Sequence, residues 1–194
     1  SLLETRIGYT FADKNLAATA LTHSSFSNEN KARGVEVRCN ERLEFLGDSV
    51  LSLIASVYLF KENHDLFEGD LTKIRAGVVC ENALYDYAKE IGLGELLRLG
   101  RGEENTGGRN RKSILSDAFE AVIAAVYLDG GFEKAQSFVL PFVTKAANAL
   151  MQSGSTEDYK TLLQKFIQHN RGDILEYAVT NESGPSHKRT FEVQ

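Results

Sequence analysis

At 194 residues the chain suits one substantial domain plus a small appendage, and its formal net charge of -5 excludes the bulk-basic footprint by which many nucleic-acid-binding domains hold phosphate. Two cysteines, Cys39 and Cys80, are too few for a disulfide framework or a zinc site and fit a reducing, cytoplasmic compartment. The longest apolar run, Ala121 to Leu128, falls well short of the ~20 residues a membrane helix needs, so no membrane partner is expected.

The N-terminus lacks the basic-then-apolar layout of a signal peptide, and its Ser in place of Met suggests a processed or engineered end. After a short opening helix, Asp13 is placed to cap a helix over Lys14 to Thr22, whose Leu16, Ala17, Ala20 and Leu21 recur at helical spacing. The polar stretch His23 to Arg38 reads as a loop. A helix follows from about Asn40 to Glu62, and its second half is apolar nearly all round, which predicts burial. Asp70 is a plausible cap for the next helix, which should stop near Gly92. Gly100 to Lys112 reads as a surface loop. A long apolar helix then begins at Ser113 and ends at Gly130-Gly131, and a last one over Phe132 to Met151 should kink or break at Pro141.

Beyond residue 150 the character changes. Residues 151–157 have linker composition, Asp158 to Gln168 reads as a short amphipathic helix, and Ile174 to Thr180 and Lys188 to Val193 alternate with strand period around a turn at Asn181 to Pro185. The fold class is therefore mainly α: an all-helical body over 1–150, then a small α-β-β piece over 158–194. No internal repeat or low-complexity tract interrupts it.

Chemistry concentrates in the run Asn40 to Ser49 (NERLEFLGDS). At about 100° per residue, Glu41, Glu44 and Asp48 fall within an arc of roughly 60° on one helix face. Like charges at such spacings repel, so something positive should neutralise them. A second pair, Asp117 and Glu120, shares a face at the start of the next apolar helix. Taken alone, that pair is a solvated first turn favoured by the helix dipole. Carboxylates on two otherwise buried helices instead make a hard-ligand site suited to Mg²⁺, with Mn²⁺ as a possible substitute, and such sites activate water against phosphate esters.

The run NERLEFLGDSVL (Asn40 to Leu51) resembles the signature motif of ribonuclease III, the double-stranded-RNA endonuclease. LTHSS (Leu21 to Ser25), EGDLTKIRA (Glu68 to Ala76), the GRGEENTGGR loop and SILSDAFEAVIAAVYLDGG (Ser113 to Gly131) agree in order and kind. The tail, DYKTLLQKFIQ and then GPSHKRTFEV, is similar to the first helix and first two strands of a double-stranded-RNA-binding domain.

The resemblance implies metal-dependent cleavage of double-stranded RNA to 5'-phosphate and 3'-hydroxyl ends, as in ribosomal and messenger RNA processing. It implies that Glu44, Asp117 and Glu120 bind metal, and that Asp48 acts with Glu120 as a catalytic carboxylate. Glu41 and Glu68 then line the cleft near a subunit boundary. Thr161, Gln164, Gln168 and His187 become RNA contacts of the tail. Composition alone makes Phe45 a core residue, whereas the resemblance implies insertion into a second copy in a homodimer.

Three other readings stay open on the sequence. Arg109, Arg111 and Lys112 either touch RNA phosphate or belong to a solvated loop. His23, His64-Asp65 and Asp117 or Asp129 follow the order of HD-type metal phosphohydrolases, but that leaves the NERLEFLGD carboxylates unexplained. A non-enzymatic RNA-binding scaffold would keep the fold without needing the four carboxylates intact.

Overall fold

The computed structural model describes residues 1–153, 179–184 and 189–193. Within it the chain divides into two units, Ser1–Gln152 and Ser153–Gln194. The first begins with two short helices, α1 (Leu2–Ile7) and α2 (Lys14–Ala20). Asp13 caps α2, its carboxylate accepting the Asn15 N–H at 2.9 Å. Asp129, near the far end of the unit, accepts hydrogen bonds from the Tyr9 hydroxyl (2.7 Å) and the Ala12 and Asp13 N–H groups (2.8 Å each), which pins this opening segment.

The stretch expected to be a loop after His23 contains a third helix, α3 (Ser24–Lys31). It buries none of its residues, so it carries no apolar stripe that periodicity could detect. His23 caps it, with Nδ1 accepting the Ser25 N–H at 3.2 Å.

Helix α4 (Glu41–Glu62) has the extent expected, but only one side is covered. Leu51, Ile54, Ala55 and Leu59 are fully buried, whereas Phe45, Leu53 and Phe60 are 79%, 52% and 73% exposed. Burial all round, as the composition suggested, is therefore corrected. Among the described residues α4 is the one helix whose length and apolarity would also suit a bilayer; here it is a packing helix with one face in the core.

The single helix expected up to Gly92 is two, α5 (Glu68–Val78) and α6 (Glu81–Glu90). Cys80 is extended (φ -76°, ψ 159°), and the nearest glycine, Gly77, lies inside the last turn of α5 and not at the break itself. The Tyr87 hydroxyl, donating to the Val78 carbonyl at 3.1 Å, satisfies the end of α5 and holds α6 against it. Phe67, not Asp70, occupies the cap position of α5. The Gly-rich segment after residue 100 is likewise ordered, as α7 (Arg101–Asn105) and a 3-10 turn at Gly108–Asn110.

Helix α8 (Lys112–Gly130) is the axis of the unit. Every residue from Ala121 to Val126 is fully buried, because α2, α4 and α6 all pack against it. Tyr87, Phe119, Phe138 and Phe142 form an aromatic cluster with ring centroids 5.4 to 5.9 Å apart. Full burial of Phe119 alone contributes about 1.5–3 kcal/mol. Helix α9 (Phe132–Ser153) runs through Pro141 without ending. Pro141 lies on the exposed side, where the carbonyl left free by its missing N–H can face water.

In the second unit an antiparallel pair is described, β1 (Val179–Ser183) with β2 (Thr190–Val193), Glu182 opposite Phe191. Asn181 to Ser183, read as turn, are strand; an Arg189–Glu182 ion pair binds the two polar edges across the pair. The helix expected at 158–168 lies outside the described residues.

Candidate active site

Asn40 fixes where α4 begins. It is buried, its N–H donates to the Thr22 carbonyl at 2.8 Å, and its own carbonyl accepts the Glu44 N–H at 2.9 Å. That places Glu44 in the first turn, facing α8. Asp117 and Glu120 stand one helical turn apart on α8, and each of the three side chains is half-buried. One carboxylate oxygen from each lies within 4.8 Å of the other two. Among the described residues this is the only such grouping of His, Cys, Asp or Glu.

Charge at the site is strongly one-sided. Burial and then the Asp48, Asp117 and Glu44 charges push the Glu120 carboxyl up to about 8. Glu44 is raised by burial, Asp117 and Glu41. Asp117 is raised by burial and Glu81, with His23 and a hydrogen bond to Ser116 opposing. Among the described residues no Lys or Arg forms an ion pair with Glu44, Asp48, Asp117 or Glu120. Three hard oxygen ligands with no Lys or Arg paired to them fit a divalent cation of the Mg²⁺ or Mn²⁺ type.

The remaining sequence-derived residues scatter around this centre. Asp48 is exposed, one turn after Glu44, and reaches Glu120 electrostatically. Glu41 is exposed at the start of α4 and acts on Glu44. Glu68 is not with them: it opens α5, accepts the Thr72 hydroxyl at 3.0 Å, and lines a cavity of about 510 Å³ between α4 and α5 with Ser56, Phe60, Leu71 and Arg75. Thr161, Gln164, Gln168 and His187 lie outside the described residues.

Arg109 belongs to neither of the alternatives the sequence left open. Its Nη1 donates to the carbonyls of Gly94 (3.0 Å) and Leu97 (2.9 Å) while Nε pairs with Glu104; it is a structural tie. Arg111 pairs with Glu103, and Lys112 donates to Asn82 at 2.6 Å. The HD-type set is not assembled, since His64 and Asp65 are exposed in the α4–α5 connection and His23 Nδ1 is taken up at the head of α3.

Two contributors, Gly47 and Glu81, escaped the sequence reading, and a third, His23, entered it only through the HD-type alternative and the LTHSS segment. Gly47 is buried where α4 meets α8; a lone glycine inside an apolar helical pattern was the available signal. His23 and Glu81 both act on Asp117, and neither lies on a periodic stripe.

The family model described as Ribonuclease-III-like matches residues 13–147. Ribonuclease 3 of Pelotomaculum thermopropionicum is 46% identical over 191 residues, covering 98% of this chain and 78% of that protein. Ribonuclease 3 of Caldanaerobacter subterraneus subsp. tengcongensis is 48% identical over 192 residues, covering 99% and 83%. The nuclease domain of ribonuclease III from Campylobacter jejuni, described for structural flexibility in a region involved in dimer formation, superposes with a TM-score of 0.68 at 43% identity, covering 75% of this chain and 96% of its own. Dicer from Pichia stipitis, at 21% identity and a TM-score of 0.54, shares the fold, with 94% of this chain and 80% of that chain covered.

Proposed function

The chain belongs to the ribonuclease III family, and on that premise we propose that this double-stranded-RNA endoribonuclease works through a Mg²⁺-dependent site made by Glu44, Asp48, Asp117 and Glu120. The observation that carries the reading is the convergence of three carboxylate oxygens, from two core helices, within 4.8 Å of one another and with no cation paired to them. Glu44, Asp117 and Glu120 hold the ion, for which Mn²⁺ can substitute. A divalent cation there supplies Lewis-acid charge against the phosphate and activates water.

The chain's own contribution is position and proton handling. Helix α8 fixes Asp117 and Glu120 because the residues between and after them are wholly buried. Asp48, exposed beside Glu120, is the carboxylate free to take or give a proton at the scissile phosphate. The products are 5'-phosphate and 3'-hydroxyl ends.

The exposed apolar face of α4 makes the active form a homodimer. Phe45, Leu53 and Phe60 lie within about 80° around the helix, an unpartnered stripe of the kind that marks a protein interface. Two-fold pairing sets a cleft in each subunit, one for each RNA strand. The Phe45 ring of a second copy then enters the cavity beside Phe60 and Leu71.

Incubation of the full chain with long duplex RNA, with EDTA or with Mg²⁺, tests this reading. Metal-dependent fragments with 5'-phosphate ends are expected; intact duplex at high protein and Mg²⁺ overturns it. Glu120→Ala and Asp48→Asn should each abolish cleavage while the fold and oligomeric state are kept.

A further inference from the structure

The net charge of -5 leaves open how this chain grips a polyanion, and the answer lies in which cations are uncommitted. Arg6, Lys14, Arg109, Arg111 and Lys145 are held in ion pairs. Arg75 and Lys112 donate to Ser56 and Asn82, Lys89 sits over the Tyr85 ring and Arg98 over the Phe26 ring. Arg42, Lys61, Lys73 and Lys134, on α4, α5 and α9, are exposed without an ion pair, hydrogen bond or ring contact among the described residues. Lys31, Arg33 and Arg38 are equally exposed and uncommitted, and they are clustered. They fall within eight residues that carry one opposing charge, Glu36.

Arg101 joins them from a separate part of the chain. It is exposed and unpaired, and the glycines on either side of it fasten α7 to α3. The Gly100 N–H donates to Ser25 Oγ at 2.9 Å and the Gly102 N–H to Glu29 Oε1 at 3.5 Å. Glu29 is thereby engaged with the backbone of α7.

This ridge is tied to the active site at both ends. Helix α3 leaves from His23, next to Thr22, whose carbonyl accepts the Asn40 N–H at 2.8 Å. The loop after it is shaped by Gly34 in the left-handed region (φ 77°) and by the Val35 N–H to Asn30 carbonyl bond of 3.0 Å. It then returns at Asn40, the residue that starts the Glu44 helix. A cation ridge flanking an acidic cleft divides the labour: metal engages the scissile phosphate, and the ridge engages neighbouring ones.

We propose that Lys31 at the end of α3, Arg33 and Arg38 of the α3–α4 loop, and Arg101 of α7 form a phosphate-binding ridge beside the acidic cleft that holds the backbone of duplex RNA. The proposal rests on the nuclease reading above and adds where the substrate is held. Phosphate contacts position a duplex without reading its bases, so the ridge acts on affinity and its salt dependence and leaves the chemical step alone.

The test compares the parent with Lys31→Gln/Arg33→Gln/Arg38→Gln, and with Lys134→Gln, an exposed cation on α9, as a control of equal chemistry. Duplex binding is measured in Ca²⁺ across a salt series, and cleavage in Mg²⁺ at saturating and limiting RNA. The triple variant should bind about tenfold more weakly at low salt, with the slope of log K against log salt reduced by about one for each phosphate that is no longer neutralised. Its kcat at saturating RNA, melting temperature and oligomeric state should stay at the parental values, and Lys134→Gln should match the parent throughout.

An unchanged Kd and salt slope in the triple variant overturns the ridge. So does loss of dimer in that variant, which would make the loop an interface between copies. A parent that fails to cut duplex RNA would instead count against the nuclease reading, whatever the loop does.

Discussion

Gly47 of α4 faces the backbone of Glu120 on α8 so closely that a Cβ built on it would lie 1.9 Å from the Glu120 carbonyl oxygen and 2.4 Å from its carbonyl carbon. No side chain fits there, and the obstacle is main chain that cannot rotate away. The absence of a Cβ is therefore what lets α4 cross α8 at the residue that completes the acidic cluster, with Glu44 and Asp48 one turn apart on either side of the crossing.

Gly47→Ala should force the helices apart at this point. Overpacking of this kind costs about 1–3 kcal/mol, and the displacement falls where Glu44 must meet Asp117 and Glu120. We expect kcat on duplex RNA to fall by about 100-fold or more, the scale of an ångström's misplacement at a reacting centre. A folded Gly47→Ala protein cleaving at the parental rate would show that the close crossing is not required.

Arg109 supplies the opposite case, a cation near the site whose work is structural. Its guanidinium ties the Gly94 and Leu97 carbonyls to the Glu104 carboxylate. Arg109→Ala should destabilise the fold by about 2 kcal/mol through carbonyls left without their donor, read as a shifted denaturation midpoint. RNA affinity at low salt should be unchanged. Arg109→Lys should rescue poorly, since an ammonium cannot span the two carbonyls and the carboxylate as a planar fork does.

These residues also show what the sequence could and could not reveal. Asp13, the α4 and α8 spans, the Glu44–Asp48 face and the Asp117–Glu120 pair were legible because capping chemistry and spacings of three and four are local properties, whereas the joining of Glu44 with Asp117 and Glu120 across two helices was implied only by the family resemblance. Helix α3 was not legible, because with no buried residue it leaves no apolar stripe. The break at Val79–Cys80 was hidden because Gly77 falls within the last turn of α5 and the end is fastened by a side chain of the next helix, Tyr87. The apolar circumference of α4 was visible, but periodicity cannot distinguish a face covered by its own core from one awaiting a second copy. The role of Gly47 depends on the opposing helix and exists only in three dimensions.

The 79% exposure of Phe45 leads to a prediction about assembly. A large ring left in water beside Leu53 and Phe60 is the profile of an interface anchor, and truncating such an anchor typically costs about 2 kcal/mol or more of association. Phe45→Ala should weaken the dimer about 30-fold in sedimentation equilibrium without lowering the denaturation midpoint of the monomer. A melting temperature that drops while the dimer persists would return Phe45 to a role within its own subunit.

The raised carboxyls make stability and metal binding depend on pH in a defined direction. Glu120 ordinarily titrates at 4.5 and in the folded protein near 8, so between those values the native state keeps a proton that the unfolded chain has released. Stability of the metal-free protein should therefore fall as pH rises through this window and level off above it; Glu44 and Asp117, shifted the same way, add to the fall. Glu4 and Asp129 are shifted down, so their contribution is lost only at acid pH, below this range. A divalent cation needs the ionised carboxylates. The melting temperature gained on adding Mg²⁺ should thus be small at about pH 5 and grow steadily to about pH 8.5. Differential scanning calorimetry with and without Mg²⁺ reads both trends, and Glu120→Gln should flatten the metal-free decline, because it removes the proton whose uptake the fold favours. A metal-free protein equally stable at about pH 5 and about pH 8, or a Mg²⁺ increment independent of pH, would mean that the three carboxylates do not share one unneutralised site.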